Sequence, residues 1–243
     1  MVLPVVRSRD EAHLYMDLHP CDRCGGVETD WDSALTSDEG EPARRYHGVC
    51  AGCQTSREFV FRLPEQPAVS GLDDLVFFGG SEPSQLLDAG EWALVASMGI
   101  YDGSAPLTGV AGEDAQRKQS FALGIAAFGE MLKFIPDGMD EVPDSAFWTP
   151  RGRAERDRYP VQFKRERLKW RLEGFRLEME MRFAGFCMSE ADAAVAEMDP
   201  ERSRMSMELA RWHDAGQQRH GIDDADWTPE GAEGDNRRGP TVE

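Results

Sequence analysis

Four cysteines carry the clearest chemistry in this sequence: Cys21-Asp22-Arg23-Cys24 and Cys50-Ala51-Gly52-Cys53. Two C-x-x-C pairs closing on one ion are the pattern of a four-thiolate structural zinc site. The spacing within a pair brings both sulfurs to roughly 2.3 Å from one metal, and four of them complete a tetrahedron. Gly25 and Gly26 follow the first pair, and Gly48 and Gly52 bracket the second, so the backbone is free to turn the sulfurs inward. The expectation is one Zn2+ held by Cys21, Cys24, Cys50 and Cys53. A closed set of four thiolates has no position for water, so that ion stabilises and does not catalyse.

Other chemistries of the same residues fit less well. A redox dithiol belongs after a strand in a βαβ pattern, which is missing here. Structural disulfides need an oxidising compartment, and the opening Met-Val-Leu-Pro-Val-Val-Arg is too short for a secretory apolar core. The expected location is therefore cytoplasmic. His13, His19 and His47 lie near the cysteine pairs, but four thiolates already fill the ligand count. His213 and His220 look incidental, and Cys187 reads as a buried free thiol after an apolar helix. There is no phosphate-binding glycine loop, G-x-S-x-G elbow or H-E-x-x-H helix. Carboxylates are plentiful, yet no pair stands out as general acid and base. No catalytic residue is expected, and the protein reads as a non-enzyme.

The elements that position the cysteines follow from the flanking patterns. In residues 12–18, Leu14, Met16 and Leu18 alternate with His13, Tyr15 and Asp17, which predicts a strand entering the first pair. Residues 28–44 are acidic and aperiodic, the mark of an exposed excursion. Residues 45–49 lead into the second pair, and Phe59, Phe61 and Leu63 share one face of the strand leading out. The sum is an α+β chain: an N-terminal antiparallel zinc ribbon over 1–70 with an acidic insertion at 28–44, then a mainly α-helical domain over 71–216. The metal is expected to supply much of the ribbon's folding free energy.

In the second part, Leu72 to Phe78 is an apolar run closed by Gly79-Gly80. Ser81 or Ser84 is the expected cap of a helix to Met98, broken by Gly99 and residues 101–106. A second helix spans 113–135 and stops at Pro136 and Gly138. Asp144 or Ser145 opens a helical stretch, and Thr149-Pro150 provides a cap followed by proline at the first helical position. The longest helix is expected over 160–185, with apolar residues on more than one face and arginines between them. Ser189 and Asp199-Pro200 start two shorter helices. The methionines from Met179 to Met207 read first as core and second as an adaptable surface. Residues 217–243 read as a disordered acidic tail.

With 243 residues, net charge −18 and no apolar stretch near ~20 residues, the chain has a globular profile and no membrane span. The charge is uneven. Residues 1–70 carry net −5, 71–150 net −10, 151–187 net +5 and 188–243 net −8. The basic stretch most simply pairs with acidic neighbours in the same molecule. Arginine outnumbers lysine 23 to 4, which reads as coding bias with no chemical weight.

Residues 10–21, the stretch 81–92 with Asp88-Ala89-Gly90-Glu91-Trp92, and Leu132-Lys133-Phe134-Ile135-Pro136 followed by residues 142–147 together resemble a group of bacterial zinc-ribbon proteins encoded near polymorphic toxin systems. The resemblance covers roughly residues 10–185. It implies a cytoplasmic accessory, such as an immunity protein or chaperone, with no catalytic residues to carry over. An acidic surface suits a basic toxin or effector, because opposite charge speeds association. The 160–185 helix is the expected contact, with Arg167, Trp170, Arg171 and Phe175 as partner-binding residues. The alternative is a nucleic-acid or transcription-associated factor using the arginines of 151–182; the ribbon's own net −5 opposes it.

Overall fold

The computed structural model describes residues 3–66, 68 and 75–184. Cys187, Met188 to Met207, the helices expected after Ser189 and Asp199, His213, His220, the 217–243 tail and the start of the 72–78 run all lie outside these residues. Among the described residues there are five α-helices and one three-stranded antiparallel sheet, an α+β fold. No described helix is long and apolar enough to cross a membrane.

The segment expected as a strand is helix α1, Arg9–Asp17. Ser8 caps it, its side chain accepting from the Glu11 N–H, and Asp10 and Glu11 sit in the first turn, where the helix dipole favours negative charge. The alternation misled because α1 is covered on more than one side. Glu11, Ala12, Leu14, Met16 and Leu18 are buried and the residues between them half-buried, so no polar stripe marks the 3.6 period.

Strands β1 (Thr29–Asp38), β2 (Glu41–Cys50) and β3 (Ser56–Arg62) follow in sheet order β1-β2-β3. Residues 28–44 are thus not an irregular excursion. They are largely exposed, as expected, but most of them form a hairpin in continuous register from Thr29↔Cys50 to Asp38↔Glu41. Its two-residue turn is Glu39-Gly40, both at positive φ, the geometry whose twist matches paired strands. The N-terminal segment pairs with the outer edge of β3, through Val6 N–H to Arg62 O and Arg62 N–H to Pro4 O.

Helix α2, Ala89–Gly103, is capped by Asp88 rather than Ser81 or Ser84. Ser84 instead holds the turn before it, accepting from the N–H groups of Leu86 and Leu87. Gly99 does not break α2. A Cβ there would run into the backbone of Ser120 and Gly124 in α3, Ala111–Lys133, so glycine lets the two helices approach closely. After a 3₁₀ turn at Asp144–Ala146 comes α4, Pro150–Arg158, capped by Thr149 with Pro150 in its first turn, as expected. A second 3₁₀ turn, Pro160–Phe163, precedes α5, Arg165–Arg182. The longest described helix is therefore α3, at 23 residues against 18 for α5.

One cluster of buried side chains joins these parts. Leu14 and Met16 of α1 and Tyr46 and Phe61 of the sheet belong to the same core as Trp92, Phe121, Phe128, Met131 and Leu168 of the helices. The arginines also have structural work, contrary to their reading as compositional bias. Arg165 donates to the carbonyls of Ile135 and Pro136 after α3, and Arg182 to those of Ser104 and Ala105 after α2. These are the carbonyls a helix end leaves without partners, and a guanidinium satisfies two at once.

Candidate metal centre

The centre lies at one end of the sheet. The first cysteine pair sits between α1 and β1, and the second is the turn joining β2 to β3. The two loops are built alike, position for position. Cys21 N–H donates to Gly26 O at 2.8 Å, and Cys50 N–H to Thr55 O at 2.9 Å. Gly25 N–H donates to Cys21 O at 2.7 Å, and Gln54 N–H to Cys50 O at 2.9 Å. The residue after each second cysteine is left-handed, Gly25 at φ 70° and Gln54 at φ 59°. Each loop thereby turns two sulfurs to the same side.

The four sulfurs meet. Cys21 Sγ lies 3.6 Å from Cys53 Sγ, and Cys24 Sγ lies 3.5 Å from Cys50 Sγ. All four fall within 4.8 Å of one another. A tetrahedron with metal–sulfur distances of about 2.3 Å has edges of about 3.8 Å, so this donor set fits one ion. Cys21 and Cys50 are buried, Cys53 is half-buried and Cys24 is exposed. All four are free thiols, unpaired with one another.

As acids the thiols differ. Cys53 is drawn down to about 6 by hydrogen bonding with the Thr55 hydroxyl, 3.2 Å away, and the Thr55 N–H. Cys50 is lowered, first by the Cys53 N–H. At Cys24 the Gly26 N–H favours the thiolate, but hydrogen bonding with Cys53 and Cys50 outweighs it and raises that thiol to about 12. A bound dication would favour the thiolate at every position.

Arg57 fixes the first loop against the sheet. Its buried guanidinium donates to Met16 O and His19 O before the loop, and to Val27 O and Thr29 Oγ1 after it. It also lies 5.0 Å from the centre of the Trp31 ring. Gly48 stands between Trp31 and Arg57 in the register, and its missing side chain leaves the path open. A Cβ at Gly48 would also strike Asp30 O. Gly48 therefore serves strand approach, not the turning of a sulfur.

None of the three nearby histidines joins the cluster. His13 packs edge-on against Tyr46, and His19 stacks on Tyr15 with Nδ1 2.7 Å from Tyr15 O. His47 Nε2 is 3.1 Å from Ser56 Oγ. Burial pushes His19 below its ordinary range, so it is neutral at pH 7.

The residues expected to bind a partner divide between core and surface. Arg171 is buried, its guanidinium 5.0 Å from the Phe128 ring centre and 5.7 Å from that of Phe175. Phe175 itself is half-buried, stacked on Phe128. Trp170 faces solvent at 41 % exposure, with Arg167 over its ring. The exposed apolar residues further along α5 are Leu177 and Met181. Periodicity alone does not say which stripe of a two-sided helix the core takes.

Two buried polar clusters escaped the sequence reading. In one, Arg7 contacts Glu11 at 2.6 Å and Glu130 at 2.8 Å, and Lys133 contacts Glu130 at 2.5 Å, a chain of alternating charge between α1 and α3. In the other, Asp88 accepts from the N–H groups of Gly90 and Glu91 and from the N–H and hydroxyl of Thr149. One carboxylate thus serves the starts of both α2 and α4. The signal was present as Ser8-x-x-Glu11 and Asp88-x-x-Glu91, each an N-terminal helix signature.

No family model matches the chain, and neither a curated protein nor a solved structure matches it significantly.

Proposed function

We propose that the chain is a non-catalytic, cytoplasmic accessory protein that binds another protein, stapled at one end by a single structural Zn2+. The service of an immunity protein or chaperone toward a basic toxin or effector suits this reading. Four thiolates are soft donors in tetrahedral array, a set that favours zinc or iron, and a redox-inert ion fits a structural role. The observation that carries partner binding is the solvent-facing side of α5, where Trp170 is 41 %, Leu177 55 % and Met181 74 % exposed. Large apolar side chains aligned on one exposed helix face commonly mark an interaction site.

A nucleic-acid role is less favoured. The arginines of 151–182 that would meet phosphates are engaged within the chain, Arg151 on Leu18 O, Arg153 on Trp148 O, Arg165 and Arg182 on helix ends, and Arg171 between aromatic rings. Arg156 alone of these forms its printed ion pair with an acid, Asp144.

Elemental analysis tests the staple. One zinc per chain is expected in protein purified without added metal, and Cys24→Ser lowers its retention; a folded, metal-free wild type overturns it. Affinity purification from the native cell with wild type and Leu177→Glu tests the partner. A protein captured by the first and lost with the second, while the variant stays folded, supports the reading; identical captures reject this surface.

A further inference from the structure

We infer that the exposed stripe of α5 receives a basic amphipathic helix of the partner, an inference that rests on the partner-binding reading above. The stripe is Trp170, Gly174, Leu177 and Met181, at spacings of four, three and four residues. That is the repeat with which one helix presents a seam to another. Gly174 leaves a notch between Trp170 and Leu177, since a Cβ there would meet nothing within 4 Å. A partner side chain can enter it.

The border of the stripe specifies the partner's charge. Glu166, Glu173 and Glu180 recur every seven residues, all exposed, along one side of the seam. On the other side the helix turns into the core through Leu168, Leu172 and Phe175. Lys169 and Arg176 are exposed beyond the glutamate row, one step further from the seam, and Arg167 closes the N-terminal end over Trp170. A helix laid on the seam therefore meets a row of carboxylates along its open flank. Lysines or arginines at seven-residue spacing answer that row, and the chain's net charge of −18 steers such a partner inward. An antiparallel second copy would set one glutamate row against another, which disfavours self-pairing.

The test uses two synthetic helical peptides with leucines at seam spacing, one flanked by arginine and lysine and one by glutamate, in anisotropy titrations with the full chain. The basic peptide is expected to bind at least about tenfold more tightly, with an advantage that shrinks as salt rises. Reversal of Glu166, Glu173 and Glu180 to lysine transfers the preference to the acidic peptide. Leu177→Glu or Met181→Glu, each folded by circular dichroism, removes binding of both. Equal binding of the two peptides, or of neither, overturns the inference. So does a dimer in light scattering that Leu177→Glu returns to monomer, because a second copy then fills the seam. Truncation after Ala184 that newly exposes Trp170 to a quencher also overturns it, assigning the seam to the chain's own C-terminal segment. A native partner captured through Leu177 but indifferent to the glutamate reversal defeats the charge inference alone and leaves the partner-binding reading standing.

Discussion

At the residue scale, the two cysteine loops differ at one informative position. Gly25 and Gln54 play the same left-handed role, but only glycine adopts it without a Cβ penalty. Gln54 offsets part of that penalty by donating from Nε2 to Ala51 O at 3.2 Å. Gln54→Gly is expected to raise stability by up to about 1 kcal/mol, and Gly25→Ala to lower it by a similar amount. Urea unfolding of the two metal-loaded variants checks both signs. A second residue carries a pH signature. Burial, and then the nearby Asp88 carboxylate, push Glu91 up to about 7. Its proton is held more tightly in the folded chain, so its stabilising share is complete below the ordinary carboxyl range and is lost as pH rises toward 7. Glu91→Gln keeps an acceptor for the Asp88 N–H and removes the titration. At pH 8 the variant is expected to exceed wild type by roughly 2 kcal/mol, with the difference fading toward pH 4.5. Unfolding midpoints across that range measure it.

At the element scale, polar contacts hold the helices in register as firmly as apolar packing does. The Arg7–Glu11–Glu130–Lys133 chain ties the N-terminal segment and α1 to α3, with both glutamates fully or nearly buried. Such charges cost much to desolvate, so the network is sensitive to losing a single member. Glu130→Gln leaves Arg7 and Lys133 sharing too little negative charge and is expected to cost about 3 kcal/mol. Chemical denaturation reads the loss, and a change below about 0.5 kcal/mol would show the network to be open to water. The basic segment follows the same logic. Its cations were expected to meet acids, yet most of those described meet carbonyls and aromatic faces. Helix ends inside a compact fold expose carbonyls that water reaches poorly, and a planar guanidinium satisfies them without needing a counter-charge.

At the scale of the whole molecule, the sheet is not an independent unit waiting for its metal. Tyr46 and Phe61 are buried in the core that also holds Leu14, Trp92 and Phe128. Metal removal is therefore expected to loosen the cysteine loops and the adjacent ends of β1 to β3 while the helices persist. With a strong chelator the far-ultraviolet helical signal should remain near its starting value, and the melting temperature should fall. Complete loss of helix on chelation would mean that the ion, and not the shared core, organises the fold.

The sequence by itself determined what depends on short-range spacing. Two C-x-x-C pairs predicted four sulfurs around one ion, Thr149-Pro150 a helix start, and Pro136 and Gly138 the end of α3. Each of these is settled within a few residues, by loop geometry or by an unpaired backbone group. It also held two helix starts, Ser8-x-x-Glu11 and Asp88-x-x-Glu91, whose significance only burial made plain. Tertiary structure decided the rest. It made residues 9–17 a helix, because an element covered on several sides has no polar stripe to declare its period. It kept Gly99 inside α2, because α3 needed the space. It turned an acidic, aperiodic stretch into a hairpin, because strand pairing satisfies backbone groups whatever the side chains on an exposed face. And it divided α5 into Arg171 and Phe175 within and Trp170 without, since which face of a two-sided helix is buried depends on where its neighbours stand.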